Sequence, residues 1–234
     1  ERQWAVAYAD PGAYAARAVA GMWRQMGGTL AGTVRNGAVP AGLPPVFSAS
    51  SPALAEVVRD INKYSNNVMV QQLFLTLSWQ QSGVGSMDAS RALLQQWWRS
   101  RMGDAQMPVV DNGAGLSREA RISAQALGRM LQVAWASPVM PELLASLPVV
   151  GVDGTLRRSQ SRANGNAHLK TGSLRDVTAV AGYVHGSDGQ RYVLVAMVNH
   201  ANAAAARPAL DALIDWTAAR PASAATATAQ KQQP

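Results

Sequence analysis

Two short segments, Tyr64-Ser65-Asn66-Asn67 and Lys170-Thr171-Gly172-Ser173, hold the side chains best suited to chemistry in this 234-residue chain. A serine in a constrained loop can relay a proton between a base and a leaving amine. Here the Ser65 hydroxyl is followed two residues on by the Asn67 carboxamide, which can donate to a substrate carbonyl and accept from a lysine. A lysine in the middle of an apolar strand is costly to bury without a partner. Lys170 therefore implies a neighbouring hydroxyl or a substrate carboxylate that uses its positive potential. Thr171 and Ser173 offer hydroxyls to that carboxylate, and Gly172 removes a side chain where another backbone must come close. Each segment also has a plain structural reading, as caps of an inter-helix turn and as an edge-strand lysine beside a glycine kink. Their occurrence together favours chemistry.

Other chemistries find little support. The three histidines, His168, His185 and His200, lack metal-ligand spacing, so no metal is expected. His168 alone shares a strand face with Lys170. No Gly-x-Ser-x-Gly elbow and no phosphate-binding glycine loop occur. The absence of cysteine excludes disulfides and thiolate chemistry. The net charge of +7 is carried mainly by scattered arginines, with Arg157-Arg158 and Arg162 the tight group. That pattern reads as a solvated basic surface and not as a nucleic-acid site. An anionic cell-wall polymer is the better charged partner. No apolar run reaches the roughly 18 residues of a membrane span. Glu1-Arg2-Gln3-Trp4 has no signal-peptide pattern, so an exported protein would have lost its signal or carry it elsewhere.

The elements that must position these residues follow from periodicity and punctuation. Residues 2–8 alternate weakly, as a short strand does. Asp10-Pro11 starts a helix in which Tyr14, Ala18, Gly21, Met22 and Met26 keep helical spacing, and Gly27-Gly28 stops it. Residues 29–52 are rich in Gly, Pro and Ser, with β-like pieces at 30–35 and 45–49. Ser51-Pro52 opens a second helix with Leu54, Val57, Val58 and Ile61 on its apolar face. The Ser65–Asn67 loop interrupts it, and another helix spans 68–79. An amphipathic helix follows over 86–101, with Trp97 and Trp98 assigned to the core. Residues 111–115 form a turn, a helix runs from a Ser117 cap to Ala134, a short helix covers 138–147, and 151–154 turn again. Strands are predicted at 168–174, 177–185 and 191–199, with a hairpin turn at 186–189. A final helix over 203–217 turns Leu210, Leu213, Ile214 and Trp216 toward the core. The composition after Arg220 predicts a disordered tail over 220–234. Helices first, then an antiparallel meander, then a terminal helix make an α+β layer structure.

Several blocks in a fixed order sharpen the functional reading. They are Asn62-Lys63-Tyr64-Ser65-Asn66-Asn67, then Asp111-Asn112-Gly113-Ala114-Gly115-Leu116-Ser117-Arg118, then Gly151-Val152-Asp153-Gly154-Thr155-Leu156. Ala167-His168-Leu169-Lys170-Thr171-Gly172-Ser173-Leu174 and Val180-Ala181-Gly182-Tyr183-Val184 complete the set. Over residues 10–217 the chain resembles the D-alanyl-D-alanine carboxypeptidase/endopeptidase class of low-molecular-mass penicillin-binding proteins, the DacB or penicillin-binding-protein-4 type (peptidase family S13). Ala114 stands where that family's turn carries a serine, a mild change because the flanking glycines set the backbone.

The resemblance implies a β-lactamase/transpeptidase-like domain, with helices beside a five-stranded antiparallel sheet and further domains inserted ahead of the Ser-x-Asn loop. It also implies a Ser-x-x-Lys nucleophile motif, which this chain lacks. The residues three before Lys63, Lys170 and Lys231 are Asp60, Ala167 and Thr228. The nucleophile helix and first strands are thus expected upstream. Residues 1–9 would be the end of an inserted domain or linker, and 10–219 the C-terminal portion of the transpeptidase-like domain. This chain alone would be inactive and would need the upstream part as its partner. The resemblance further implies acyl transfer on peptidoglycan stem peptides, acylation by β-lactam antibiotics, no cofactor and a periplasmic location. It makes Ser65, Asn67 and Lys170 catalytic. Thr171, Gly172, Ser173 and, more weakly, Arg175 would bind substrate. The Ser173 backbone N–H would form half of an oxyanion hole. Two readings compete: a non-catalytic domain of the same fold that binds wall peptides or a partner, and a β-lactamase. The blocks at 111–117 and 151–156 favour the peptidase over the latter.

Overall fold

The structure is a computed structural model and describes residues 10–45 and 48–220. The strand expected at 2–8 and the tail beyond Arg220 lie outside these residues. The chain separates into a unit ending at Ser50 and one beginning at Ser51. In the first, helix α1 (Pro11–Gln25) is capped by Asp10, whose carboxylate accepts the Gly12 and Ala13 N–H groups at 3.0 and 3.3 Å. After it, Trp23 Nε1 donates to the Thr29 carbonyl at 2.9 Å. The β-like pieces expected at 30–35 and 45–49 are irregular where described. A β ladder needs a pairing strand, and the described residues of this unit hold none.

The second unit runs α2 (Leu54–Tyr64), α3 (Asn67–Ser82), α4 (Met87–Met102), α5 (Ala124–Trp135), α6 (Met140–Ser146), a 3-10 turn (Gly154–Leu156), β1 (Ala167–Leu174), β2 (Val177–His185), β3 (Arg191–Asn199) and α7 (Arg207–Ala218). The three strands match their predicted spans to within a residue. The helix expected from Ser117 begins instead at Ala124. Ser117 Oγ accepts from the Glu119 and Ala120 N–H groups at 2.9 and 3.1 Å and closes a single turn. An antiparallel bridge between Val109 and Arg121 then draws the chain out. Ser123 is the true cap, accepting from the Ala126 N–H at 3.1 Å. The second helix likewise starts at Leu54, beyond the predicted Ser51-Pro52, and no side chain caps it.

The sheet is ordered β1-β2-β3 and antiparallel throughout. Period-two alternation gives it two faces. Leu169, Val180, Val184 and Leu194 meet Ile214, Leu210 and Leu213 of α7 on one face. Ala181, Tyr183, Val193 and Val195 meet Leu131 of α5, Leu144 of α6 and Leu147 just after it on the other. Tyr183 is 1% exposed, and its hydroxyl is satisfied by the Leu131 carbonyl at 2.7 Å. A second core cluster joins Trp98, Met102 and Ala126 of α4 and α5. Two tryptophans expected inside are not. Trp97 is 42% exposed against 2% for Trp98, because consecutive helix positions face different ways. Trp216 is 61% exposed, and the Arg220 guanidinium lies 5.3 Å from its ring centre. The buried face of α7 continues from Ile214 to Thr217 and Ala218 and passes Trp216 by.

Among the described residues no helix is long and apolar enough to cross a membrane. Of the five-stranded sheet implied by the resemblance, the described residues hold three strands.

Beneath the sheet's α6 side, the rings of His168 and His185 stack with centroids 5.4 Å apart. His168 Nδ1 lies 3.3 Å from the Leu144 carbonyl, while His185 Nε2 is buried without a partner among the described residues. Burial holds both pKa values below 6.5, with Lys63 adding to the effect at His168 and Arg191 at His185. The Leu144 carbonyl and Asp153 oppose it at His168 without reversing it. A base whose folded pKa is depressed takes up its proton more readily when unfolded. The stability it contributes is whole above pH 6.5 and is lost as pH falls from there through the folded values. The melting temperature of the protein should therefore drop below about pH 6.5, and His185→Phe should flatten that drop. Identical pH profiles for the two proteins would contradict this.

Candidate active site

The Ser-x-Asn segment is a tight joint between two helices. Ser65 caps α2 in the left-handed conformation (φ 56, ψ 50) and is the one described non-glycine residue with positive φ. Such strain persists where surroundings impose it, often at functional sites. Asn66 caps α3, its Oδ1 accepting the Met69 N–H at 3.0 Å. Asn67 is already the first residue of α3, one position earlier than the predicted helix. Its Nδ2 donates to the Ala114 carbonyl at 2.6 Å. That bond uses one N–H and leaves the amide the second N–H and Oδ1 for a ligand. The 111–115 turn is itself pinned to α3, since the Gly113 N–H donates to Gln71 Oε1 at 3.0 Å. A Cβ on Gly113 would fall 2.3 Å from Phe74 Cβ. Asn67 uses the Ala114 backbone, so this bond does not depend on the side chain at 114.

Lys170 comes from the opposite wall. Its Nζ lies 3.2 Å from Ser65 Oγ and donates to the Thr171 carbonyl at 2.9 Å. Burial pushes its pKa below the ordinary lysine value. The outer edge of β1 is half covered: the Leu169 N–H donates to Pro148 O at 2.8 Å, and Ala167 O accepts the Val150 N–H at 2.9 Å. By strand alternation the backbone groups of Thr171 and Ser173 face the same outer edge, beyond the covered part. Thr171 Oγ1 shares a hydrogen bond of 2.9 Å with Thr155 Oγ1. Gly172 meets no backbone from its own chain, for a Cβ there would find Ala179 Cβ at an ordinary 3.7 Å. Within the chain, a close backbone approach occurs at Gly182 of β2.

Ser65, Asn67, Lys170, Thr171, Gly172 and Ser173 thus line one cleft of about 1180 Å³. Arg175 is exposed and does not line it. The cleft extends past the two motifs over an apolar floor that includes Ile61, Leu156 and Val180, with Arg158, Arg162 and Arg207 also lining it. The arrangement puts a hydroxyl, an ammonium, a carboxamide and free strand-edge N–H groups around one space. These are the parts for proton relay, carboxylate binding and oxyanion stabilisation. Among the described residues no group of three or more His, Asp or Glu could hold a metal ion.

Sequence reasoning singled out neither Lys63 nor Thr155 beyond quoting their blocks. The available signal for Lys63 was a lysine directly ahead of the Ser65 loop at the end of an apolar helix.

Comparisons with known proteins identify the family and the fold. The D-Ala-D-Ala carboxypeptidase 3 (S13) family model matches residues 1–220. A D-alanyl-D-alanine carboxypeptidase of Actinomadura sp. (strain R39) is 31% identical over 174 residues, covering 70% of this chain and 32% of that protein. The carboxypeptidase DacB of Haemophilus influenzae is 24% identical over 197 residues, covering 80% and 40%. The chain therefore spans about a third to two fifths of the length of these curated relatives. In fold it is similar to penicillin-binding protein 4 of H. influenzae, solved with a β-lactam. That match has a TM-score of 0.72 at 22% identity over 83% of this chain and 46% of the other. It is also similar to a predatory endopeptidase of Bdellovibrio bacteriovorus solved with an immunity protein, with a TM-score of 0.59 at 18% identity over 70% and 43%. The fold is transpeptidase-like, and the chain belongs to the D-Ala-D-Ala carboxypeptidase 3 (S13) family.

Proposed function

We propose, from its membership of the S13 family, that this chain is the C-terminal part of a serine-type D-Ala-D-Ala carboxypeptidase/endopeptidase acting on peptidoglycan stem peptides. The observation that carries the reading is the 3.2 Å contact between Lys170 Nζ and Ser65 Oγ, which joins two motifs 105 residues apart. The nucleophile is the serine of a Ser-x-x-Lys motif supplied from upstream of this chain. Its oxygen attacks the carbonyl of the D-Ala-D-Ala bond, the C–N bond breaks, and the leaving amine takes a proton through Ser65. Water then hydrolyses the acyl-enzyme ester.

In this reading Lys170 sets the potential around Ser65 and attracts the substrate carboxylate, which the Thr171 and Ser173 hydroxyls hold. Arg175, outside the cleft, has at most a secondary part. The Ser173 N–H supplies half of the oxyanion hole and the nucleophile's own N–H the other half. Asn67 offers Oδ1 to the upstream lysine and its second N–H to the acyl-side amide. The substrate backbone adds to the free outer edge of β1, beside Gly172. No cofactor takes part. β-Lactams acylate the same serine, and the protein works in the periplasm, where its polymer lies. The apolar floor of the cleft is where the upstream segment would pack.

Intact-mass spectrometry after incubation with benzylpenicillin tests this. A single adduct is expected on the full-length protein and none on residues 1–234 alone. An adduct on this chain alone would reassign the nucleophile. No adduct on either would favour a non-catalytic domain that binds wall peptides.

A further inference from the structure

Lys63, two residues before Ser65, is 8% exposed. Its Nζ donates to the Leu147 carbonyl at 2.6 Å and to Asp153 Oδ2 at 2.7 Å. The other carboxylate oxygen of Asp153 accepts the Val149 N–H at 2.8 Å. Burial opposes the charge on Asp153, yet the Lys63 ammonium and the Val149 N–H hold its carboxyl below the usual range. Only the Lys63 end of this pair is enclosed, since the Asp153 side chain keeps 40% of its exposure. Removing Asp153 strands the buried ammonium, whereas removing both partners leaves no charge behind.

The loop that carries Asp153 touches both walls of the cleft. Gly154 lies at φ +54, where a Cβ would stand 2.6 Å from the Lys63 carbonyl oxygen, so this loop rests directly on the last turn of α2. The next residue, Thr155, bonds Thr171 of β1. On the helix side Asn62 Nδ2 donates to the buried Ser146 Oγ at 2.8 Å. The chain from 146 to 155 therefore spans from the end of α2 to the Lys170 strand. Ser65, held left-handed at the very end of α2, has its position fixed by where that end is anchored.

We propose that the Lys63–Asp153 ion pair is a clasp that positions Ser65 against Lys170, making Lys63 and Asp153 positioning residues for acyl transfer. The inference rests on the function proposed above. Neither residue touches substrate. They act by fixing the distance between α2 and β1, and displacements of about 1 Å at a reacting centre cost on the order of 100-fold in rate.

The test uses the full-length protein, with benzylpenicillin acylation followed in time. It separates the noncovalent dissociation constant, the acylation rate constant and the final labelled fraction. Asp153→Asn keeps the side chain's size and removes its charge. Lys63→Met combined with Asp153→Asn leaves no stranded charge and so covers the case in which a single variant fails to fold. Both are expected to slow acylation about 100-fold, with the dissociation constant changed by less than about threefold and the labelled fraction intact. The double variant should be no slower than Asp153→Asn alone, as coupling through one pair requires. A wild-type rate constant in either variant, or a loss confined to the labelled fraction, overturns the clasp and leaves the pair a stability element only. Wild-type protein that takes no label at all overturns the acyl-transfer reading itself, an outcome distinct from failure of the clasp.

Discussion

Replacing Lys170 by alanine in the full-length protein is expected to slow acylation by benzylpenicillin about 1000-fold. The ammonium stands 3.2 Å from Ser65 Oγ in a site where burial already works against its charge. In such an environment a preorganised charge is worth far more than in water, because nothing has to reorient when the reaction passes through it. On the proposed function, alanine removes the positive potential beside the Ser65 hydroxyl and the attraction for the substrate carboxylate together. Lys170→Met separates charge from bulk, and it should lose as much as alanine does. Near-normal acylation in Lys170→Ala would take this residue out of the mechanism.

Gly182→Ala is expected to cost about 4 kcal/mol or more of folding stability. Gly182 lies in the middle of β2 at φ +153, and a Cβ would stand 2.2 Å from the His168 carbonyl oxygen and 3.0 Å from Leu169 Cα. Both atoms are backbone of β1, so no rotamer change relieves the clash. The strand must shift at the pair Leu169↔Gly182, one residue from Lys170. A typical domain has roughly 5–15 kcal/mol to lose, so the variant should unfold at much lower denaturant. Gly172→Ala is the control, with its Cβ in ordinary contact and no positive φ. If urea unfolding places Gly182→Ala within about 1 kcal/mol of wild type, the account of this strand pair is wrong; the glycine effect alone is of that size.

The meander was legible because alternation and a Gly-rich hairpin are local signals. The Ser65 and Lys170 motifs were legible because a polar break between apolar helices and a lysine inside an apolar strand both violate the pattern around them. The false helix start at Ser117 has an equally physical origin. Ser117 and Ser123 both have capping chemistry, and what separates them is a bridge from Arg121 back to Val109, which no local pattern reveals. Trp97 and Trp98 were indistinguishable without knowing which side α5 would cover. Lys63 could not be read as buried, because the aspartate that makes its burial tolerable lies 90 residues away. Arg175 fell outside the cleft because β1 ends at Leu174, and the chain turns away toward β2.

The separation along the chain of the two motif residues has a kinetic consequence. The sheet's own pairs begin with Leu174 opposite Val177 and zip outward, so each closes a short loop on structure already formed. The Lys170–Ser65 contact closes a loop of 105 residues and the Lys63–Asp153 contact one of 90. Loop-closure entropy opposes such contacts until other packing has brought the ends together. Loop closure therefore places assembly of the cleft after that of the meander. Completion of the cleft and possession of a folded sheet are, for this architecture, two separate events in folding.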